Sequence, residues 1–153
     1  MLRPATLDDL SILRGIKHAA QDWLSRNGSL QVLGDVETVE EYLLFWPSDI
    51  VADAPIGSCR LSPRVPLHIQ PCLPTHPDMY LSSLVIHPAF QSRGLGRQLM
   101  VELQSLRKSM ALDLWAGNDR LRRWYQELGW RFVATVEETG GDQTYDVAIY
   151  VWP

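Results

Sequence analysis

The stretch Leu84-Val85-Ile86-His87-Pro88-Ala89-Phe90-Gln91-Ser92-Arg93-Gly94-Leu95-Gly96-Arg97 decides how this chain is read. An apolar run from Leu81 to Ile86 reads as a strand that stops at His87-Pro88. The turn Gln91 to Arg97 then opens a helix whose apolar positions Leu95, Leu99, Met100, Leu103 and Leu106 recur at near-helical spacing. A strand that feeds a glycine turn into a helix N-terminus makes an anion site. The first helical N–H groups lack intrahelical partners, and the helix dipole places partial positive charge there. Gly94 and Gly96 carry no Cβ, so a phosphate can approach the backbone. Arg93 and Arg97 add full positive charge at the same end. Cations there oppose the dipole, so helix stability alone does not choose them. A Gly-x-Gly turn is equally the mark of a tight loop with no ligand, so the pieces downstream have to decide.

Met110 to Trp115 reads as a second strand, and Asn118 begins a second helix with Asn118, Leu121, Tyr125 and Leu128 on one stripe. Gly129 stops that helix in the manner of a C′ residue. The ordered set is Leu84-Val85-Ile86-His87-Pro88, Gln91-x-x-Gly94-x-Gly96, Asn118, Trp124-Tyr125 and Gly129-Trp130. Together it resembles the GNAT superfamily of acetyl-CoA-dependent N-acetyltransferases, closely from Met79 to Val136 and in element order only before that. The resemblance implies a single domain over residues 1–153, of mixed α/β class. Its sheet would have about seven strands and be splayed, with helices on both faces and the two central strands parallel.

The resemblance also implies site residues. Gln91, Ser92, Arg93, Gly94, Leu95, Gly96 and Arg97 match the family's pyrophosphate loop. Leu84, Val85 and Ile86 match the strand whose backbone pairs with the cofactor arm, and they are also a core strand. Asn118 matches an asparagine near that arm, with Leu121 beside it. On spacing alone Asn118 reads first as a helix cap, and both roles can hold. Tyr125 matches the tyrosine that protonates the leaving thiolate, and is otherwise a core aromatic on a helical stripe. Asp113, a charge inside the apolar strand Ala111-Leu112-Asp113-Leu114-Trp115, asks for a reason. In some protein N-terminal acetyltransferases of the superfamily a glutamate at the matching place is the general base. Asp113 is one methylene shorter, which favours relay through water, and a structural ion pair is the competing reading. In other branches the base lies on the earlier strand, near Tyr80 or Ser82, and neither is acidic here.

The resemblance therefore implies acetyl transfer to a primary amine by direct attack in a ternary complex, with acetyl-CoA as co-substrate and no metal. The residues show no convincing Ser-His-Asp or Cys-His arrangement. A non-catalytic acyl-CoA-binding sensor is the alternative. A Rossmann reading fails, because the turn is one glycine short and comes late in the chain.

Length and composition agree with this class. The chain has 153 residues, 46% hydrophobic and 21% charged, which suits one domain with a sizeable core. The net charge of −4 argues against a nucleic-acid binder and suits a cationic amine. Cys59 and Cys72 form no metal-like cluster, and a reduced chain is expected. No apolar run reaches membrane-spanning length and the N-terminus lacks a signal-peptide pattern, so a cytoplasmic location without membrane partners is expected. A homodimer is left open.

Upstream, Leu2 to Ala5 is a strand candidate, and Thr6 with Asp9 forms a capping box for a helix from Leu7 to about Leu24. Ile12, Ile16, Ala19, Ala20 and Trp23 line one face of it. Asn27-Gly28-Ser29 breaks it, and a loop runs to Asp35. The spacing of Val39, Tyr42, Leu43 and Trp46 predicts a helix from about Asp35 to Phe45. Asp49 to Ala52 and Ile56 to Leu61 read as a hairpin. Five prolines between Ser62 and Asp78 make that segment a long irregular loop near the substrate. Its His68, Cys72 and His76 are four residues apart, but a metal site at that spacing needs the helix the prolines forbid. At the end, Arg131 to Val136 is a strand, Gly140-Gly141-Asp142 a turn, and Tyr145 to Trp152 an alternating strand.

Overall fold

A short apolar run becomes strand or helix according to what lies beside it, and the N-terminal third of this chain shows that rule overriding local pattern. The structure, a computed structural model, describes residues 2–29, 33, 36, 41–45 and 55–153. In chain order the elements are β1 (Leu2–Pro4), α1 (Leu10–Arg26), β2 (Glu41–Phe45), β3 (Pro55–Ser62) and β4 (Met79–Ile86). They continue as α2 (Leu95–Ser105), β5 (Met110–Trp115), α3 (Asp119–Glu127), β6 (Arg131–Gly140) and β7 (Gln143–Trp152). Among the described residues the strand order is β1-β2-β3-β4-β5-β7-β6, a mixed α/β fold. The chain forms two compact units, and the boundary cuts β4 between Ser82 and Ser83.

The first unit comprises Met1–Trp23, Leu33–Leu61 and Ser83–Arg107. Here β2 pairs antiparallel with β1 and with β3, Tyr42 standing opposite Pro4 and Cys59. This corrects the helix expected up to Phe45. Glu41 to Phe45 is a strand because β1 and β3 supply its ladder partners, and periodicity cannot separate the two states over so few residues. The hairpin partner of β3 is therefore β2; the strand expected at Asp49 to Ala52 lies outside the described residues. β3 also lies close to the C-terminal half of β4. His87 N–H donates to the Ile56 carbonyl at 2.7 Å. A Cβ on Gly57 would stand 2.6 Å from the Val85 carbonyl oxygen and 2.8 Å from Ile86 Cδ1.

The capping box holds, with a change in the helix it caps. The Asp9 carboxylate accepts from Thr6 N–H at 2.7 Å and from the Thr6 hydroxyl at 3.1 Å. The Arg3 guanidinium grips both its oxygens at 2.8 and 2.9 Å, and this holds Asp9 well below the usual carboxylate range. Leu7–Asp9 is a 3-10 turn, so the α-helix proper starts at Leu10. Its buried stripe is Leu13, Ile16, Lys17 and Ala20, while Ile12 and Trp23 are exposed. Leu13 packs with Ala5 and Val36, and Ile16 and Ala20 pack with Val85 and Leu33, which turns the stripe away from the one expected.

The second unit comprises Leu24–Val32, Ser62–Ser82 and Lys108–Pro153. β4 and β5 are parallel, from Met79↔Met110 to Leu81↔Leu112. Asp78 and Ser109 pin the start of that register: Asp78 Oδ2 accepts from Ser109 N–H at 2.9 Å, and Asp78 N–H donates to Ser109 Oγ at 2.9 Å. β7 lies antiparallel between β5 and β6 and meets β6 through the expected glycine turn, with Gly141 at φ 59°. Val147 to Val151 are all buried, so the strict alternation expected for β7 fails; alternation marks a half-solvated strand, and this one is covered on both faces. The proline-rich segment is irregular, as its prolines require, apart from one 3-10 turn at Gln70–Cys72. It is also a cover: its Val65 and Ile69 are buried against Tyr80, Ala111, Val147 and Ile149, with Cys72 and Leu73 beside them.

Gly57 yields a direct test. Gly57→Ala forces a methyl group into the Val85 carbonyl, so urea unfolding should show a loss of about 1–3 kcal/mol. A variant as stable as the parent would mean that β3 and β4 are not in this close contact.

Candidate functional site

In the first unit, the strand-turn-helix of the opening stretch is built as its residues suggest. Pro88–Phe90 makes a 3-10 turn, capped by His87 Nδ1, which accepts from Ala89 N–H at 3.1 Å. Gln91 Nε2 donates to the Ile86 carbonyl at 3.3 Å and ties the turn back to the strand. Arg93 stacks over the Phe90 ring at 5.8 Å. Ser92 (φ 63°) and Gly94 (φ 76°) both take left-handed conformations, and Gly94 is the N-cap of α2. Glycine takes that conformation without the cost a Cβ brings. A Cβ built on Gly94 meets no protein atom within 4 Å, so open space lies against the backbone there. The first bond of α2 is Gln98 N–H to the Gly94 carbonyl at 3.1 Å. The N–H groups of Leu95, Gly96 and Arg97 therefore have no intrahelical acceptor. Leu95 buries its side chain while Ser92, Arg93, Gly94 and Arg97 are exposed. The arrangement can hold an anion on backbone donors with two guanidinium groups beside it. In the strand before it, Val85 is buried and Leu84 and Ile86 are partly buried. Ser83, at φ 50°, interrupts β4 just ahead of them.

In the second unit, Asn118 caps α3: its Oδ1 accepts from Leu121 N–H at 3.0 Å. Gly129, at φ 92°, ends the helix, and Trp130 N–H returns to the Tyr125 carbonyl at 3.0 Å. Tyr125 is only 4% exposed, with its ring 4.9 Å from Trp124, 5.7 Å from Trp130 and 6.4 Å from Tyr150. Arg122 bonds the Tyr150 hydroxyl at 3.1 Å and the Ala116 carbonyl at 3.3 Å, and stacks on Phe132 at 5.2 Å. Tyr150 stands opposite Leu112, so this aromatic layer lies on the Leu112 face of β5.

Asp113, the next residue, projects to the other face. There the Tyr80 hydroxyl donates to its Oδ2. Burial pushes Asp113 above the usual carboxylate range, against the pull of that hydrogen bond and of His68. Burial, then the Asp113 charge, pushes the Tyr80 phenol up strongly. His68 Nε2 lies 3.7 Å from Glu138 Oε1. Glu138 is also raised, first by burial and then by Asp113. The candidate base and candidate acid thus stand on opposite faces of the strands of this unit. Among the described residues the side-chain hydrogen bond to Asp113 comes from the Tyr80 phenol.

Three of these groups were not assigned to the site from sequence. Tyr80 is not acidic, yet as a phenol it reaches the carboxylate two positions along the neighbouring strand. Glu138 lies beyond the expected end of its strand, which runs on to Gly140. His68 carries no acid–base signal in its sequence surroundings; among the described residues no group of three or more His, Cys, Asp or Glu is placed to hold a metal ion.

A family model described as the acetyltransferase (GNAT) family matches residues 15–130. No curated protein matches the chain. Among solved structures, NAA60 from Arabidopsis thaliana, solved with a bisubstrate analogue, is 16% identical with TM-score 0.68, covering 99% of this chain and 96% of its own. The ribosomal-protein-S18-alanine N-acetyltransferase of Escherichia coli is 17% identical with TM-score 0.63, covering 100% and 92%. A ribosomal-protein-alanine N-acetyltransferase of Brucella melitensis is 17% identical with TM-score 0.67, covering 99% and 98%. At these identities the likeness is one of fold.

The raised Asp113 makes a stability prediction. A carboxyl whose folded pKa lies above its unfolded value favours the folded state below about pH 4, and that contribution is lost as pH rises through the folded value. Asp113→Asn removes the charge and keeps an acceptor for Tyr80. Urea unfolding should find the variant matching the parent near pH 4 and more stable than it at pH 7. A variant less stable at pH 7 would show the ionised carboxylate to be a stabilising group.

Proposed function

The chain belongs to the GNAT acetyltransferase family, and from that premise we propose that it is an acetyl-CoA-dependent N-acetyltransferase acting on a primary amine by direct attack in a ternary complex. We take residues 1–153 as one catalytic domain and its location as cytoplasmic. The observation that carries the reading is Asp113: a partly buried carboxylate, raised above its ordinary range and held by a neighbouring phenol. A general base works best when its pKa approaches the working pH, and burial moves this one in that direction.

The turn before α2 fits the cofactor. Leu95, Gly96 and Arg97 offer backbone N–H groups, Gly94 leaves open space beside them, and Arg93 and Arg97 supply charge for a pyrophosphate. Gln91 and Ser92 shape the turn, and the backbone of Leu84, Val85 and Ile86 would pair with the cofactor arm. Asn118 and Leu121 are assigned to the cofactor on the family pattern alone. When bound, acetyl-CoA supplies an acyl group activated as a thioester, so no covalent enzyme intermediate is needed. Asp113 takes a proton from the ammonium acceptor, directly or through one water, and leaves a neutral amine to attack. Tyr125 holds at its hydroxyl the proton that the departing thiolate needs.

Two of the similar structures are named for acetylation of a ribosomal protein's alanine, which makes a peptide amine the first acceptor to try. The alternative, an acyl-CoA-binding sensor, draws on one observation: Tyr125 is buried among Trp124, Trp130 and Tyr150, where a purely structural aromatic would also sit.

Thiol release from acetyl-CoA across peptides and small amines separates the two readings, since a sensor turns over none of them. In the active protein, Tyr125→Phe keeps the ring and should bind acetyl-CoA normally while losing on the order of 10²-fold in kcat. Asp113→Asn should lose a similar factor near neutral pH and less at high pH, where the amine is already neutral. Parental kcat in Tyr125→Phe would remove the acid, and a parental pH profile in Asp113→Asn would remove the base.

A further inference from the structure

The two oxygens of the Asp113 carboxylate are not equivalent. Oδ2 accepts from the Tyr80 hydroxyl, while Oδ1 accepts no hydrogen bond among the described residues, and the side chain is partly exposed. The donor is held more firmly than the carboxylate it serves. Tyr80 stands opposite Ala111 in the parallel register, which puts Asp113 two positions further along the same face. Tyr80 is 3% exposed and packs in one cluster with Val65 and Ile69 of the proline-rich cover, Ala111 of β5, and Val147 and Ile149 of β7. Its ring is therefore fixed by three strands and a loop before any ligand arrives, which is the condition for placing a reacting atom accurately. Burial first, and then the Asp113 charge, pushes the phenol up strongly, so Tyr80 is a donor and not a base at neutral pH.

We propose that Tyr80 is a positioning residue for the reaction: its hydroxyl holds Asp113 Oδ2, so that Oδ1 is the atom that takes the proton of the acceptor ammonium, and Tyr80 keeps its own proton throughout. The proposal rests on Asp113 as the base. The proton balance is simple. The acceptor N–H bond breaks, an O–H bond forms at Oδ1, directly or through one water, and the amine is left neutral with its lone pair free to attack. The Tyr80 hydrogen bond does two things to this step. It fixes the carboxylate plane, so the free oxygen has one position rather than several. It also favours the ionised form and so opposes the rise that burial imposes on Asp113. The titratable groups of this face are Tyr80 from β4, Tyr145 from β7, Glu138 from β6, and His68 and Cys72 from the cover; of these the Tyr80 hydroxyl is the one hydrogen-bonded to Asp113.

The test compares the parent with Tyr80→Phe, which keeps the ring and removes the donor, and with 3-fluorotyrosine placed at position 80 alone, which makes the phenol a stronger donor. The Asp113 carboxyl carbon is followed by NMR in aspartate-labelled protein. Tyr80→Phe should move its titration to higher pH by about one unit, and the fluorinated phenol should move it to lower pH. No shift, or shifts in the same direction, overturns the proposal. If Tyr80→Phe fails to fold, the fluorinated protein decides: no downward shift overturns it. Thiol release from acetyl-CoA with an alanine-initiated peptide then separates positioning from mere structure. In Tyr80→Phe, KM for acetyl-CoA should stay at the parental value, kcat at its pH plateau should fall on the order of 10-fold, and the acid limb of kcat/KM should move up with the carbon titration. A parental plateau kcat beside a shifted titration overturns the proposal, because the contact then only satisfies a carboxylate. Failure of the base reading shows differently: the titration moves and the acid limb stays where it is in the parent.

Discussion

The interaction on which the rest of this structure turns is the hydroxyl of Tyr80 against the carboxylate of Asp113. A carboxylate in the middle of an apolar strand costs free energy unless a donor meets it. The strand register makes that meeting possible. Tyr80 is paired with Ala111, and Asp113 is two residues further along the same face, within reach of a long phenol. That register is anchored by the mutual bonds of Asp78 and Ser109 at the start of both strands. Loss of register by one residue would send Asp113 to the aromatic face, away from the Tyr80 hydroxyl.

The two faces of the second unit do different things with similar material. On one, Tyr125, Trp130, Tyr150 and Phe132 stack with Arg122 into a tight aromatic layer under α3. On the other, small and branched side chains leave room for carboxylates, and an irregular proline-rich segment closes over them in place of a helix. Proline suits that cover: it removes a backbone donor that would otherwise need a partner and lowers the conformational entropy lost on ordering the segment. The cover also brings His68 Nε2 to 3.7 Å from Glu138 Oε1.

The first unit supplies a different kind of chemistry, built almost wholly from backbone. Ser92 and Gly94 in left-handed conformations turn the chain so that α2 begins with N–H groups that have no intrahelical acceptor. Backbone donors at a helix start need no particular side chain, which is why glycine is informative there. The arginines add charge to a cradle the fold already provides.

How far sequence alone reached follows from the range of the forces involved. Local rules sufficed for the glycine turn into α2, the Asn118 cap, the Gly129 stop, the Thr6–Asp9 box and the strand at Met110 to Trp115. Each depends on residues within a turn of one another, and the ordered set was enough to mark the family. Tertiary structure decided what depends on neighbours distant in the chain. Glu41 to Phe45 is a strand because β1 and β3 flank it, the stripe of α1 follows where Ala5, Val36 and Val85 lie, and β7 is buried on both sides because two layers cover it. The same holds for the charge cluster. Tyr80, Asp113, Glu138 and His68 lie up to seventy positions apart in the chain, and only the pairing of β4 with β5, β5 with β7 and β7 with β6 puts the strand residues among them on one face.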